Sequence, residues 1–227
     1  MPYLIIILIL LLAILGPSLW VNRVMRRYSE PADRYLHSGG EVARRLLDEL
    51  GLQEVGTEIT EKGDHYDPEQ RMVRLSRQNY EDCSLTAITI AAHEVGHAVQ
   101  HANGYMPFIW RPRLVRWVAP VEKTGAAVLM ATPLIIGITR APSAGLLMMT
   151  GGLLTLGSGV MMHFLALPTE FDASFRRAMP LLKKHNILAV RDEPHARRLL
   201  RAAALTYVSA SLMSLLNIAR WWAILRR

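Results

Sequence analysis

The chain of 227 residues carries a single cysteine, Cys83. No intrachain disulfide can form, and no Cys-based zinc site can be built; the usage is compatible with a reducing compartment. Aromatics make up 7% of residues, and no ladder of arginine and aromatic side chains offers a platform for stacked bases, so nucleic acid is not an expected partner. There is no internal repeat, no low-complexity tract and no G-x-x-x-x-G-K-[ST] phosphate loop. Acidic residues are also short: 19 against 26 Lys and Arg, a formal charge of +7. With 51% hydrophobic residues, that balance points to apolar spans flanked by basic loops.

Leu4–Trp20 is almost uninterrupted Leu and Ile, and Arg23, Arg26 and Arg27 follow it. A secretory signal places its basic residues first, so the order here predicts an uncleaved anchor with its carboxyl end in the cytoplasm. Val118–Ile138, Ala144–Leu167 and Ala203–Leu225 are three further candidate spans, the last carrying Arg220. The glycines of the third span allow close helix–helix approach. The expected fold is a mainly α integral membrane protein. It has about four transmembrane helices plus a small zincin-like α+β catalytic segment with a short β-hairpin. The expected divisions are an anchor over 1–21, a soluble catalytic segment over 22–117, and a membrane region over 118–227. That last region has two to three spans and a cytoplasmic loop, 168–202.

Within the soluble segment, Ser38-Gly39-Gly40-Glu41 reads as a capping box opening a helix that stops at Gly51. Val55–Glu61 and Arg71–Ser76 read as strands joined by a turn over 63–68, and pair as a hairpin. RMVRLS is the candidate edge strand for an extended substrate, with a purely structural strand as the alternative. Asp82 and Ser84 are candidate N-caps for a long apolar helix ending at Gly104, and a loop containing Pro107, Trp110 and Pro112 follows.

That helix holds His93-Glu94-Val95-Gly96-His97. Residues i and i+4 share a helix face, so His93 and His97 can present two imidazoles to one Zn²⁺ ion. Glu94 is placed to act as general base. A third ligand must come from elsewhere. His101 is about 12 Å along the axis from His93. Gln100 stands where the longer H-E-x-x-H-x-x-G-x-x-H pattern needs Gly. Glu170, after Pro168 at the expected first turn of a new helix, is the best candidate, and Asp172 is the alternative. Two residues apart on a helix they point about 200° apart, so the second carboxylate is left to orient an imidazole. Tyr207, His195 and Tyr105 are candidate oxyanion donors.

The stretches GDHYDP, VRLS, AAHEVGHAVQHANGY, LPTEFDAS and AAALTYVSASL, in this order among apolar spans, resemble the YugP-like bacterial membrane zinc metallopeptidases. The resemblance implies a neutral, zinc-dependent peptidase of the bacterial plasma membrane, multi-pass, with its active site on the cytoplasmic side. By that likeness His93 and His97 match zinc ligands, Glu94 the acid/base and Glu170 the third ligand. Ser174 stands four residues after Glu170, where many Glu-ligated zinc peptidases carry Asp. The expected partners are a membrane-associated protein or peptide substrate and the bilayer. The rival is a non-catalytic zinc-binding adaptor or chaperone-like protein, its site closed by His101, His163 or His195.

Overall fold

The structure is a computed structural model that describes residues 2–205; the side chains at 2–11, 13, 14, 122, 142, 156 and 159–165 lie outside the description. The chain forms two compact units. Among the described residues one contains 19–109 and 168–205, the other 2–18 and 110–167.

The first unit is built on two antiparallel demands, a cap at each helix start and an apolar face to bury. α1 (Pro2–Tyr28) contributes its last turns. α2 (Gly39–Glu49) opens with the expected capping box: Ser38 Oγ accepts from the Glu41 N–H, and Glu41 accepts from the Ser38 N–H. It ends at Gly51, which takes φ +74°, a conformation glycine adopts without cost. Val42, Ala43, Leu46 and Leu47 bury the apolar face. α3 (Arg77–Glu81) is a short connector, and α4 (Leu85–Ala102) starts at Ser84, the N-cap in use of the two candidates. α4 is buried along most of its length, and Gly104 follows it at φ +63°.

The sheet differs from the expected hairpin. β1 (Gly56–Ile59), β2 (His65–Asp67) and β3 (Met72–Leu75) stand in the order β1-β3-β2. β1 runs parallel to β3, and β2 runs antiparallel to it. The stretch expected as a turn contains a strand because Tyr66 has a core to enter, where its ring lies buried between half-buried His65 and Asp67. The tight turn falls at 68–71 instead. Asp67 Oδ1 accepts from the Glu69 and Gln70 N–H groups, and Arg71 takes φ 51°. RMVRLS is therefore the central strand with both edges occupied, and has no free edge for a substrate.

Residues 168–202, the stretch expected to connect two spans, are mostly helical. Pro168 does not start a helix; α6 (Pro142–Phe171) runs through it. A seven-residue π-helical segment, Asp172–Ala178, follows, then α7 (Met179–Lys184), a 3₁₀ turn (Val190–Asp192) and a helix over 193–205, α8. Leu182, Leu199 and Leu200 are fully buried, and that burial is what holds this stretch helical. Buried Asp192 ties α8 to the segment after α1 through the Arg34 guanidinium and the Tyr35 hydroxyl.

α5 (Met106–Thr139), whose residues from 110 on belong to the other unit, is a single helix over the expected loop and second span; Pro107 sits in its first turn, where no N–H is missed. Among the described residues α5 is the helix long and apolar enough to cross a membrane, and α6 holds a shorter apolar stretch, Ser143–Thr155. Four spans are thus not established. The fourth candidate lies almost wholly outside the described residues. Gly125 and Gly152 let α5 and α6 approach closely, against Thr155 and Leu129.

Asp67 yields a pH test. Burial would raise its carboxyl, but the two backbone donors and Arg74 outweigh that and hold it below the usual carboxylate range. A depressed folded pKa adds stability that is present above the ordinary value, about 3.9, and is lost as pH falls through the folded one. Asp67→Asn should lower stability at pH 7 and flatten its decline below about pH 4, read from denaturation midpoints across pH in detergent.

Candidate metal centre

α4 and the π-helical segment meet where neither has bulk. A Cβ at Gly96 would lie 2.8 Å from the backbone oxygen of Ala173, so only glycine permits this approach. The contact brings residues 170–174 against the face of α4 that carries both imidazoles. His93, His97 and Glu170 are buried, and one ligand atom from each, two imidazole nitrogens and a carboxylate oxygen, lies within 4.8 Å of the other two. Glu170 Oε2 is 3.3 Å from His93 Nε2 and 3.4 Å from His97 Nε2.

The far side of each imidazole is also held. Ser174 Oγ lies 3.1 Å from His93 Nδ1 and 3.3 Å from the Leu200 carbonyl. Gln100 Oε1 lies 2.9 Å from His97 Nδ1. Gln100 in turn donates to the Thr169 carbonyl and to Asp172, each at 2.8 Å, and Arg177 Nε donates to Asp172 at 2.7 Å. Phe108 stacks on the His97 ring with centroids 5.7 Å apart.

Charge follows burial. For Glu94, burial pushes the carboxyl up; His93 and His97 pull against it, Glu170 and Asp64 add to it, and the net is a raised pKa. Burial pushes Glu170 the same way, but hydrogen bonds from His93 and His97 outweigh it and hold its carboxyl well below the usual range. Burial would lower His97, yet its bond to Glu170 wins and raises it.

A family model described as "Putative neutral zinc metallopeptidase" matches residues 3–226. The chain belongs to this family. It is 35% identical over 218 residues to "Putative membrane protease YugP" of Bacillus subtilis (strain 168), with 93% of each chain covered. No solved structure matches it.

Membership in the neutral zinc metallopeptidase family implies zinc, and the donor set can be tested for it. Two ligand atoms about 2.0–2.1 Å from one tetrahedral ion stand about 3.3–3.4 Å apart. The Glu170–His93 and Glu170–His97 separations of 3.3 and 3.4 Å have that spacing, and two imidazoles with one carboxylate suit zinc. The residues present fit the ion.

The other candidates are placed elsewhere. Asp172 faces Gln100 and Arg177, and Glu170 alone of the two carboxylates reaches the imidazoles. His195 pairs with the Tyr28 hydroxyl at 2.9 Å, and His101 with that of Tyr66 at 2.9 Å. Tyr105 lies under the Arg177 guanidinium, 5.5 Å from its ring centre. Tyr207 and the side chain of His163 lie outside the described residues. Sequence reasoning missed two contributors. Gln100 was legible as the residue three after His97 on the same helix, and Ser174 as the residue four after Glu170.

Gly96→Ala should force α4 and the π-helical segment apart. The expected cost is about 1–3 kcal/mol of stability, with weaker zinc binding because Glu170 retreats from both imidazoles. Denaturation and metal titration of the purified protein check both. Wild-type values in both would show that the close approach is not required.

Proposed function

We propose that this chain is a membrane-embedded endopeptidase that holds Zn²⁺ with His93, His97 and Glu170 and hydrolyses peptide bonds with Glu94 as general base. The observation that carries the reading is the spacing of the three donor atoms, two of them 3.3 and 3.4 Å from the third. When bound, zinc lowers the pKa of a water towards ~7 and polarises a peptide carbonyl. Glu94, adjacent to His93 on α4 and raised by burial, takes a proton from the attacking water and delivers it to the leaving amine. Ser174 and Gln100 keep the two imidazoles turned toward Glu170.

The membrane part of the reading draws on α5, on the relative named as a membrane protease, and on exposed apolar side chains such as Trp117, Leu134, Ile138 and Leu147. Four spans, 4–20, 118–138, 144–167 and 203–225, place the site on the cytoplasmic side of the bacterial plasma membrane. There it meets membrane-associated protein or peptide substrates. A non-catalytic zinc adaptor needs a closed site. His101 and His195, two of the three residues named to close it, pair instead with the hydroxyls of Tyr66 and Tyr28, which favours the peptidase reading.

Glu94→Gln should retain zinc and lose about 10²–10⁴-fold in peptide hydrolysis; chelation should abolish activity and added Zn²⁺ restore it. Zinc-loaded wild-type protein that cleaves nothing, like Glu94→Gln, would favour the adaptor. Topology is read separately. Lys62→Cys in a Cys83→Ser background should resist a membrane-impermeant maleimide in intact cells and react in inverted vesicles; the reverse pattern would overturn the cytoplasmic placement.

A further inference from the structure

We propose that Gln100 is a positioning residue that fixes which nitrogen of His97 is free for a metal, and that Asp172 acts on His97 only through it. The inference rests on the metal-site reading above. An amide side chain has one donating end and one accepting end. Gln100 is fully buried, and its Nε2 lies 2.8 Å from the Thr169 carbonyl oxygen and 2.8 Å from Asp172 Oδ2. The first is an acceptor only. The second belongs to a carboxylate that already receives Arg177 Nε at 2.7 Å, and as an ionised group it too only accepts. Two N–H bonds meet two acceptors. Turned over, the amide would set its oxygen against both.

With the amide locked, Oε1 must face His97 Nδ1, 2.9 Å away. An amide oxygen can only accept, so Nδ1 carries the proton. In the neutral imidazole, the form that binds a metal, the lone pair is then on Nε2, the atom 3.4 Å from Glu170 Oε2. His93 is held differently. Ser174 Oγ sits between His93 Nδ1 at 3.1 Å and the Leu200 carbonyl at 3.3 Å. A hydroxyl rotates and can donate or accept, so it supports either tautomer. The two imidazoles are therefore unequal: Gln100 fixes one, and the other adapts. The lock begins at Arg177, which also covers the Tyr105 ring, and passes through Asp172 and Gln100 to His97.

The test uses the full chain purified in detergent. Zinc affinity is measured by competition with a chromophoric chelator, and the visible spectrum of the Co²⁺-loaded protein reports donor geometry. Gln100→Met keeps the volume and removes both hydrogen-bonding ends. It should weaken zinc binding about 10–100-fold and alter the Co²⁺ spectrum. Asp172→Ala should do the same to a smaller degree, and the double variant should lose no more than Gln100→Met alone. Folded Gln100→Met protein with wild-type affinity and spectrum would overturn the proposal. So would losses that add in the double variant, since Asp172 would then act independently. If Gln100→Met does not fold, Asp172→Ala decides: unchanged affinity and spectrum overturn the proposal. Wild-type protein that binds no zinc removes the metal site itself, a failure distinct from these.

Discussion

Where Gly96 lacks a side chain, the backbone of Ala173 takes its place. The meeting of residues 170–174 with the two imidazoles depends on that approach. An α-helix can put two imidazoles on one face by itself, because four residues return nearly to the same azimuth. It cannot supply the carboxylate, which must arrive from a second element at backbone contact distance. Small residues at the crossing, Gly96 on one side and Ala173 on the other, make the distance short enough for a glutamate to reach both rings.

The second element is as specialised as the first. The π-helical register over 172–178 begins two residues after Glu170, and over 170–174 three side chains serve one centre. Glu170 reaches the imidazoles, Asp172 reaches Gln100, and Ser174 reaches His93. π-Helical turns are uncommon and gather at functional sites, and here the turn supplies Asp172 and Ser174, directly after the α6 residue that completes the donor set. Buried charge is managed inside the same group: Glu170 is compensated by two imidazoles, while Glu94, next to His93 in the chain, keeps a raised carboxyl.

Local chemistry was readable in the sequence. Ser38 with Glu41, Gly51, Ser84 and Gly104 mark helix ends, because capping depends on residues a few positions apart. His93, Glu94 and His97 are legible for the same reason, while helical azimuth said only that Glu170 and Asp172 would not both face one ion, leaving Asp172 as the alternative. Non-local structure was not readable. Nothing in GTEI and MVRL announces a parallel pairing with HYD on the far side, since register and order are set by what each strand buries. The helix over 193–205 is rich in arginine and reads as a polar loop until Leu199 and Leu200 find their core. The π-helical register was invisible as well, because it is a property of contact with α4, not of the heptapeptide DASFRRA.

That register sets how this stretch can change over evolutionary time. A π-turn differs from an α-turn by one surplus residue, so removing one position within 172–178 lets the backbone relax into the commoner helix. The helices beyond it would keep nearly their present direction, because the turn takes up its surplus residue locally. What would move is the inside of the turn, where Asp172 and Ser174 face Gln100 and His93. A change of length here would therefore disturb the support of the two imidazoles and leave the packing beyond it standing.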